Sequence, residues 1–461
     1  MPNNQLFPEL ALLRETFHQG TTRSVKWRRS QLRALDAFLV ERDRAITAAL
    51  HKDLRKSPTE SFFAETNFLR GEIRFALKHL KKWMKPNRVS IPLIYQPAKG
   101  QYAREPYGVV LIIGAWNYPL QLALAPLISA IAAGNCAVIK PSEHAPHTSS
   151  LLAEGLMRYL DPAAFCVVEG GAERVKALLE ERFDYIFYTG SPAVGREVMA
   201  VAARHLTPVT LELGGKSPCI VDEHGDVRVA ARRIVWAKFL NAGQTCLAPD
   251  YVLVHQKREH ELLRAMQQAI TDFYGADPRK SADYPRIVNA DHLRRLELLM
   301  GSASIVTGGA SDAGERYFAP TILQGVSPLS PIMQVEIFGP LLPVLAYRTL
   351  DDALAIVRKR EPLAIYLFSS KRSVQERVVH ESRSGSVCIN DLLFQAAIHG
   401  LPFGGLGSSG FGAYHGKAGF ETFSFQRSVL HRSLHPDIAL RYPPYNSKAL
   451  AIFKRIGRLF S

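Results

Sequence analysis

Cys246 is the residue of this sequence whose side chain could most directly do covalent chemistry. It lies in the stretch NAGQTCLAPD (241–250), after the helix-like run ARRIVWAKFLNAG, and Pro249 soon blocks further helix. A thiol acts as a nucleophile when a base or a lowered pKa supplies the thiolate and donors stabilise the oxyanion that forms. The alternative is a cysteine buried as a small apolar side chain, the commonest fate of a free thiol. The stretch by itself leaves both interpretations open.

Two side chains elsewhere in the sequence could complete such a site. Asn117, in GAWNYP (114–119), offers an amide donor. Glu212, in ELGGKS (212–217), offers a carboxylate that could act as a base. Their spacing along the chain does not show that either meets Cys246.

The remaining cysteines have a simpler interpretation. They lie in the apolar runs CAVIK, FCVVEG, SPCIV and SVCIN, which predict apolar strands. Five cysteines without CxxC spacing argue against a disulfide framework and against a thiolate metal site, so we expect no metal. A reducing cytoplasm is the simplest location for such a chain.

Two glycine-bearing stretches could approach a phosphate. TGSPAVG (189–195) places Gly190 and Gly195 around a strand-to-helix turn, where backbone N–H groups can bind an anion. It is not GxGxxG, so an ordinary turn is the alternative. GGKS (214–217) is not a P-loop, because the required glycine five residues before Gly215 is Thr210.

The size and charge of the chain exclude several classes of protein. A length of 461 residues predicts two or three compact domains. The formal charge of +15 indicates a well-solvated basic surface, since no zinc-finger spacing, RRM signature or aromatic-interleaved basic tract favours nucleic acid. No apolar run approaches the ~20 residues that cross a bilayer, and the N-terminus has no signal-like apolar region.

The elements around these stretches indicate an α/β fold. Residues 1–85 predict helices, including IRFALKHLKKWM, which Pro86 ends. Continuous apolar strands then alternate with helices up to about residue 210, and a second α/β series begins at 211. This alternation predicts parallel sheets covered on both faces. Such sheets bind ligands at the carboxyl ends of their strands, where GAWNYP, KPSE, TGSPAVG and ELGGKS all fall.

Taken together, the segments resemble those of the aldehyde dehydrogenases. The matching segments, in the family's order from about residue 105 to 412, are GAWNYP, KPSE, TGSPAVG, LELGGKSP, NAGQTCLAPD, EIFGP and LPFGGLGSSGFG. The class 3 branch, of fatty and aromatic aldehyde dehydrogenases, is the most similar in SVCINDLLFQAAIHGLPFGG and GAYHGKAGFETFS. The resemblance implies oxidation of aromatic or medium-to-long-chain aliphatic aldehydes to acids, with NAD as cofactor and NADP also accepted.

The resemblance implies a role for each matching residue. Cys246 would attack the aldehyde to give a thiohemiacetal and then a thioacyl enzyme, the Asn117 amide would hold the oxyanion, and Glu212 would activate the hydrolytic water. The cofactor contacts carried over are Lys140 and Glu143 at the adenosine ribose, Gly190, Ser191 and Gly195 by the phosphates, and Glu336 and Phe338 at the nicotinamide. An apolar substrate funnel is expected from Tyr118, Trp236, Phe394 and Ile398, for which core packing is an equal alternative.

The domain organisation is also implied by the resemblance. A Rossmann-like cofactor domain would comprise residues 1–86 and 106–210, and an α/β catalytic domain residues 211–418. A small β bridging or oligomerisation unit would comprise 87–105 and 419–435, and we expect it to form a homodimer by strand addition.

The C-terminal tail, 436–461, departs from this pattern. Its segment SKALAIFKRIGRLFS predicts a basic amphipathic helix with Ile452, Phe453, Ile456, Leu459 and Phe460 on one side. Such a helix could contact a membrane surface or a partner, or it could dock on the protein's own surface.

Two other functions compete with aldehyde oxidation. An acylating relative would pass the acyl group to coenzyme A, but Glu212, a water-activating base, argues against it. A catalytically silent member of the fold is disfavoured by the complete set Cys246, Asn117 and Glu212.

Overall fold

The computed structural model describes residues 7–301 and 303–459. Within them, the α-helices are α1 Glu9–His18, α2 Val25–Glu41, α3 Asp43–Leu54, α4 Pro58–Ser61, α5 Asn67–Trp83, α6 Gln121–Ala133, α7 Pro146–Gly155, α8 Ala172–Glu180, α9 Pro192–Arg204, α10 Val227–Phe239, α11 Glu259–Tyr274, α12 Ala290–Met300, α13 Pro331–Gln334, α14 Leu350–Val357, α15 Arg372–Glu381, α16 Phe394–Ala397, α17 Gly416–Thr422 and α18 Ser447–Leu459. The strands are β1 Asn87–Val89, β2 Ala98–Pro106, β3 Val109–Ile113, β4 Cys136–Lys140, β5 Phe165–Val167, β6 Tyr185–Gly190, β7 Val209–Leu213, β8 Pro218–Val221, β9 Tyr251–His255, β10 Ser304–Thr307, β11 Ser311–Asp312, β12 Tyr317–Phe318, β13 Thr321–Gln324, β14 Leu341–Tyr347, β15 Ala364–Phe368, β16 Ser386–Ile389, β17 Gly410–Phe411 and β18 Ser424–Arg432.

The N-terminal helices form as their apolar spacing predicts. In α5 the residues Leu69, Ile73 and Leu80 recur at helical spacing and are fully buried. The last turn of α5 carries Lys81 and Lys82, whose charges favour the carboxyl end of a helix. The face of α5 that these apolar residues form packs on α2 and α6.

A six-stranded sheet carries most of the candidate site. Its order is β17-β7-β6-β3-β4-β5, and β7, β6, β3, β4 and β5 are parallel. Every residue of β3 and β4 is buried, as continuous apolar strands covered on both faces require. The sheet confirms the predicted α/β class, and the carboxyl ends of its strands lie along one edge.

The second large sheet has seven strands. Its order is β10-β13-β14-β9-β8-β15-β16, with β10 antiparallel to β13 and the other pairs parallel. The predicted strands YVLVH and LAIYLFS are β9 and β15, both fully buried.

The first sheet crosses the expected domain boundary at residue 210. Strand β7 lies on both sides of that position, and β17 returns from far along the chain to pair antiparallel with β7 through Gly410 and Glu212. Strand alternation could not indicate this return, because β17 is two residues long and lies in a glycine-rich loop. Residues 1–6 of the expected cofactor domain lie outside the described part of the chain.

A three-stranded antiparallel sheet lies where the bridging segments were expected. Strand β2 pairs with β1 and, over nine residue pairs from Pro106–Ser424 to Ala98–Arg432, with β18. The side of β18 away from β2 has no strand partner among the described residues.

The tail contains the predicted helix, α18. Leu450, Ile452 and Phe453 are each 43% or more exposed, so much of this helix surface meets solvent, whereas Ala449 on the same helix is buried. Phe460 and the side chains of Ile456 and Leu459 lie outside the described part of the chain. No helix within residues 7–301 and 303–459 is long and apolar enough to cross a membrane.

Candidate active site

A cavity of about 710 Å³ opens between the two larger sheets. Cys246, Asn117 and Glu212, which come from three separate parts of the sequence, all line it. Asn117 follows β3, Glu212 lies near the end of β7, and Cys246 follows α10. The parallel sheet explains the meeting of the first two, since its strands end at the same edge.

The turn that presents Cys246 has an unusual backbone. Asn241, Ala242 and Gly243 have φ values of 51°, 51° and 75°, in the left-handed region that a helix does not use. A Cβ on Gly243 would collide with the carbonyl of Gly339, so only glycine fits there. The turn therefore ends the helical segment and brings the half-buried Cys246 to the cavity wall.

The surroundings of Cys246 disfavour its thiolate in the empty cavity. Burial, together with the carboxyl groups of Glu336 and Glu212, raises the pKa of the thiol to about 12. The backbone N–H groups of Cys246 and Leu247 act in the opposite direction on this pKa. Backbone N–H groups so close to the sulfur are also of the kind that can donate to an oxyanion formed beside it.

The Asn117 side chain is held beside the cysteine turn. It is 3% exposed, and its Nδ2 donates to the carbonyl of Gln244 at 3.0 Å. A carboxamide has a second N–H on the same nitrogen, which is available for a ligand in the cavity. The carbonyl of Asn117 accepts hydrogen bonds from Asn241 and Lys56.

Glu212 presents a carboxyl group without an internal partner. It is 3% exposed, and neither of its oxygens accepts a hydrogen bond from any described residue. Burial raises its pKa well above the ordinary range. A carboxylate with a raised pKa is a stronger base toward water than an exposed one.

Glu336 occupies a space that a glycine leaves open. A Cβ on Gly214 would collide with the Glu336 carboxyl group, so the first glycine of GGKS serves this close approach. Burial, together with the charge of Asp250, raises the pKa of Glu336 to about 8. Lys216 binds Asp250 and donates to the carbonyls of Ile332 and Val335 at 2.8 and 2.9 Å, which fixes the segment that carries Glu336.

Phe338 packs in a cluster with Trp116, His292 and Arg295, three residues that the sequence did not identify. Its ring packs edge-on against Trp116 at 5.3 Å, and Trp116 contacts the ring of His292 at 4.9 Å. Arg295, on α12 with His292, donates to the carbonyls of residues 336–338, and both helix residues line the cavity. Trp116 could have been chosen, because it precedes Asn117 at a strand end, whereas α12 carries no motif.

The turn TGSPAVG supplies a helix N-terminus. Gly190 ends β6, Ser191 is the N-cap of α9, and both line the cavity. Gly195 lies one turn inside α9, where it packs against Leu213 rather than on the cavity wall. Of the N–H groups in this first turn, the two after Ala193 already bond to Ser191 and the proline has none, so the Ala193 N–H is the donor that could meet an anion.

Lys140 and Glu143 form an ion pair at the end of β4, apart from the residues that line the cavity. Lys140 is 1% exposed, and its Nζ donates to the carbonyl of Pro141 at 2.5 Å and to Glu143 at 3.3 Å. Burial lowers the pKa of Lys140. Its charge therefore lies directly beside the Glu143 carboxylate.

Aromatic rings form the rest of the wall. Trp236 stacks on Phe394 at 5.7 Å and lies 6.5 Å from Phe63, while the Tyr118 hydroxyl bonds to Thr245 at 2.7 Å. Phe394 is 55% exposed, at the rim. The fourth expected pocket residue, Ile398, is also exposed, but it does not line the cavity in the described structure, although its neighbours Ala397 and His399 do.

Comparisons with known proteins show which family the chain belongs to. The model of the aldehyde dehydrogenase family matches residues 11–429. Aldehyde dehydrogenase family 3 member B1 of Mus musculus is 48% identical over 447 residues, 96% of each chain. The dimeric NADP-preferring aldehyde dehydrogenase of Mus musculus is 46% identical over 438 residues, 94% of this chain and 97% of that one.

A solved structure, of the substrate-bound state of Staphylococcus aureus AldH, matches with a TM-score of 0.96 and 43% identity over 99% of this chain and 100% of the other. Fold and sequence therefore agree over nearly the whole length. The chain belongs to the aldehyde dehydrogenase family and is an oxidoreductase that oxidises aldehydes with NAD or NADP.

Proposed function

We propose that this enzyme oxidises apolar aldehydes, aromatic or medium-to-long-chain aliphatic, with Cys246 as nucleophile, Asn117 as oxyanion donor and Glu212 as general base. The observation that carries the proposal is the cavity lined by all three side chains and by an aromatic wall. The product is a carboxylic acid, released by water.

The first half of the reaction forms a bond to sulfur. The Cys246 thiolate attacks the carbonyl carbon, and the carbonyl π electrons move to the oxygen to give a thiohemiacetal oxyanion. The free Nδ2–H of Asn117 and the backbone N–H of Cys246 are the donors that stabilise this oxyanion. As the oxyanion re-forms the C=O bond, hydride would leave the same carbon for the bound nicotinamide cofactor, and a thioester would remain on Cys246.

Residues of the cavity could hold the cofactor. NAD or NADP, when bound, would supply the hydride acceptor. At the N-terminus of α9, beside Gly190 and Ser191, the N–H of Ala193 would be a donor for its phosphates. Glu336, whose carboxyl group fills the space beside Gly214, and Phe338 on the cavity wall would contact the nicotinamide half.

The adenosine half would meet the ion pair of Lys140 and Glu143. A carboxylate accepts hydrogen bonds from both ribose hydroxyls and repels a 2′-phosphate, which favours NAD. The Lys140 ammonium, 3.3 Å from that carboxylate, partly offsets the repulsion. The pair accounts for NAD binding with NADP also accepted.

The second half of the reaction hydrolyses the thioester. Glu212 takes a proton from water as the water oxygen attacks the acyl carbon, and the C–S bond breaks to release the acid. The absence of hydrogen-bond partners for Glu212 among the described residues leaves both of its oxygens available for this water.

The substrate class follows from the aromatic wall. Trp236, Phe394, Tyr118 and Phe63 offer flat apolar surfaces to a ring or an alkyl chain. Ile398, exposed beside the rim, would contact only substrates long enough to extend out of the cavity.

One assay tests the whole proposal. Purified enzyme is incubated with NAD, then NADP, and benzaldehyde, hexanal, decanal or glycolaldehyde, without coenzyme A, and reduced nicotinamide is followed by absorbance. We expect turnover with the first three aldehydes and a much higher KM for the small polar one. Turnover that requires coenzyme A would instead identify an acylating enzyme, and no turnover with any aldehyde would refute the proposal.

A homodimer is the expected assembly. Strand β18 has no strand partner on its outer side among the described residues, and it exposes Phe425 and Leu430. A second copy could add its own sheet at this edge, and one relative is described as dimeric. Light scattering after size-exclusion chromatography would give twice the chain mass of 51.3 kDa, and the monomer mass would refute the dimer.

The cell compartment and the tail belong to the same proposal. Five free cysteines suit a reducing cytoplasm. The exposed Leu450, Ile452 and Phe453 of α18, with Lys454 and Arg455 beside them, suit peripheral contact with an anionic membrane. Cell fractionation tests both ideas. Recovery in a lumenal fraction would contradict the cytoplasmic location, and complete absence from the membrane fraction would contradict the membrane contact.

A further inference from the structure

We infer that the buried ion pair of Lys56 and Glu65 is a positioning device for Asn117. The inference rests on the proposed role of Asn117 as oxyanion donor. Both residues lie in the N-terminal helical segment, which contributes no motif to the active site, and neither side chain has any exposed surface.

Lys56 binds the Asn117 backbone directly. Its Nζ donates to Glu65 Oε1 at 2.6 Å and to the carbonyl oxygen of Asn117 at 2.8 Å. The same Nζ lies 4.0 Å from the centroid of the Tyr118 ring. The ammonium group therefore contacts two consecutive residues of the loop after β3.

Glu65 fixes the other end of this loop. Its second oxygen, Oε2, accepts hydrogen bonds from the backbone N–H groups of Leu120 and Gln121, at 3.0 and 2.9 Å. Gln121 begins α6, so the carboxylate satisfies N–H groups that a helix start leaves free. One ion pair thus holds the loop at residue 117 and at residues 120–121.

The same loop is bonded to the turn that carries the nucleophile. Asn241 Nδ2 donates to the carbonyl of Asn117 at 2.8 Å, and the Asn117 amide donates to the carbonyl of Gln244. Tyr118 bonds to Thr245, the residue before Cys246. A shift of the loop would therefore change the distance between the oxyanion donor and the sulfur.

The charges of Lys56 and Glu65 indicate that the pair does more than fill space in the core. Two buried charges lose their hydration, and a pair of apolar side chains would fill the same volume without that loss. Here all the hydrogen bonds that the side chains of Lys56 and Glu65 make outside the pair go to backbone groups of the loop. Because misplacement of a catalytic group by about 1 Å can cost about a hundredfold in rate, such fixation has a direct catalytic consequence.

A double-mutant cycle tests the inference. The variants are Lys56→Met, Asn117→Ala and the two combined, and the measurement is the rate of the pre-steady-state burst of reduced nicotinamide with a saturating aldehyde. We expect Lys56→Met to slow the burst by about tenfold or more with an unchanged KM for NAD, but by less than about twofold when Asn117 is already alanine. Glu65→Gln, which keeps the shape of the side chain, should slow the burst in the same way.

The matched control is Arg28→Met. Arg28 is another buried cation, 3% exposed, and it donates to the carbonyl of Ala132 at the far end of the same helix, α6. Loss of this residue should lower the unfolding temperature without slowing the burst. If Lys56→Met is too unstable to purify, Glu65→Gln takes its place in the cycle.

The outcomes separate the inference from the proposed function. Equal fold-losses for Lys56→Met in the parent enzyme and in the Asn117→Ala variant would overturn the positioning role alone, since the two residues would then act independently. A normal burst in Asn117→Ala would overturn the proposed role of Asn117, and the inference with it. A slowed burst in Arg28→Met equal to that of Lys56→Met would also overturn the inference, because general destabilisation would explain both.

Discussion

Replacement of Glu60 by glutamine should make the stability of this enzyme less sensitive to pH. The Glu60 carboxyl group is 4% exposed, and its Oε1 has no hydrogen-bond partner among the described residues. Burial raises its pKa from 4.5 to about 7, although Lys56 and the backbone N–H of Asn241 act in the opposite direction. The folded protein therefore binds this proton more tightly than the unfolded chain does.

The sign and size of the effect follow from that difference in pKa. Between pH 4.5 and about 7 the unfolded chain has released the proton and the folded protein has not, so the free energy of unfolding falls as pH rises. The full difference in pKa corresponds to about 3 kcal/mol. Glutamine has the same shape and does not titrate, so the free energy of unfolding of Glu60→Gln should not show this fall. From acidic to mildly alkaline pH, the free energy of unfolding of the variant should therefore rise by up to about 3 kcal/mol relative to that of the parent.

Urea unfolding followed by tryptophan fluorescence, at pH 5 and pH 8, would measure this gain. At each pH the free energy of unfolding of the parent is subtracted from that of the variant, and the two differences are compared. Any cost of burying the amide that does not depend on pH then cancels. Glu173→Gln, at a side chain that is 87% exposed, serves as the control and should show no such change. Parallel pH dependences for Glu60→Gln and the parent would refute the reasoning.

Four further predictions concern the reaction and the tail. Cys246→Ala should abolish formation of reduced nicotinamide while circular dichroism stays unchanged, and residual turnover would exclude the sulfur mechanism. Glu212→Gln should keep the burst of reduced nicotinamide but slow the steady state by about 10²–10⁴, whereas loss of the burst would assign Glu212 to thiol activation. Glu143→Ala should lower the KM for NADP relative to that for NAD by about tenfold, in initial-rate assays with each cofactor. Deletion of residues 447–461 should reduce sedimentation with anionic liposomes and leave kcat unchanged, and equal sedimentation would remove the membrane proposal.

Much of the fold could be predicted because its strands are continuous apolar runs. CAVIK and YVLVH are β4 and β9 at the predicted residues, since burial on both faces excludes polar side chains from such strands. Pairing between distant segments could not be predicted in this way. The two residues of β17 contribute no hydrophobic pattern, and their place beside β7 depends on the path of the whole glycine-rich loop.

Some residues of the candidate site could likewise be predicted from the sequence, and others could not. Asn117 and Glu212 follow or end apolar strands, and that position predicts that they share an edge of the sheet. His292 and Arg295 reach the cavity from a helix, where an amphipathic pattern predicts only which face is buried. Lys56 and Glu65 are more difficult still, since a lysine and a glutamate nine residues apart look like ordinary surface residues until their burial is known.

One physical cause, the exclusion of water, acts on several groups of the cavity in different directions. Burial raises the pKa of Glu212 and Glu336, and this makes each carboxylate a stronger base once it is ionised. Low polarity also strengthens the hydrogen bonds that Asn117 can offer to an oxyanion. The same burial raises the pKa of Cys246 to about 12, so the thiolate is rare although it is more nucleophilic when it forms. The hydrogen-bond donors of the cavity therefore favour the oxyanion, whereas burial and the carboxyl groups of Glu336 and Glu212 oppose the thiolate from which it forms.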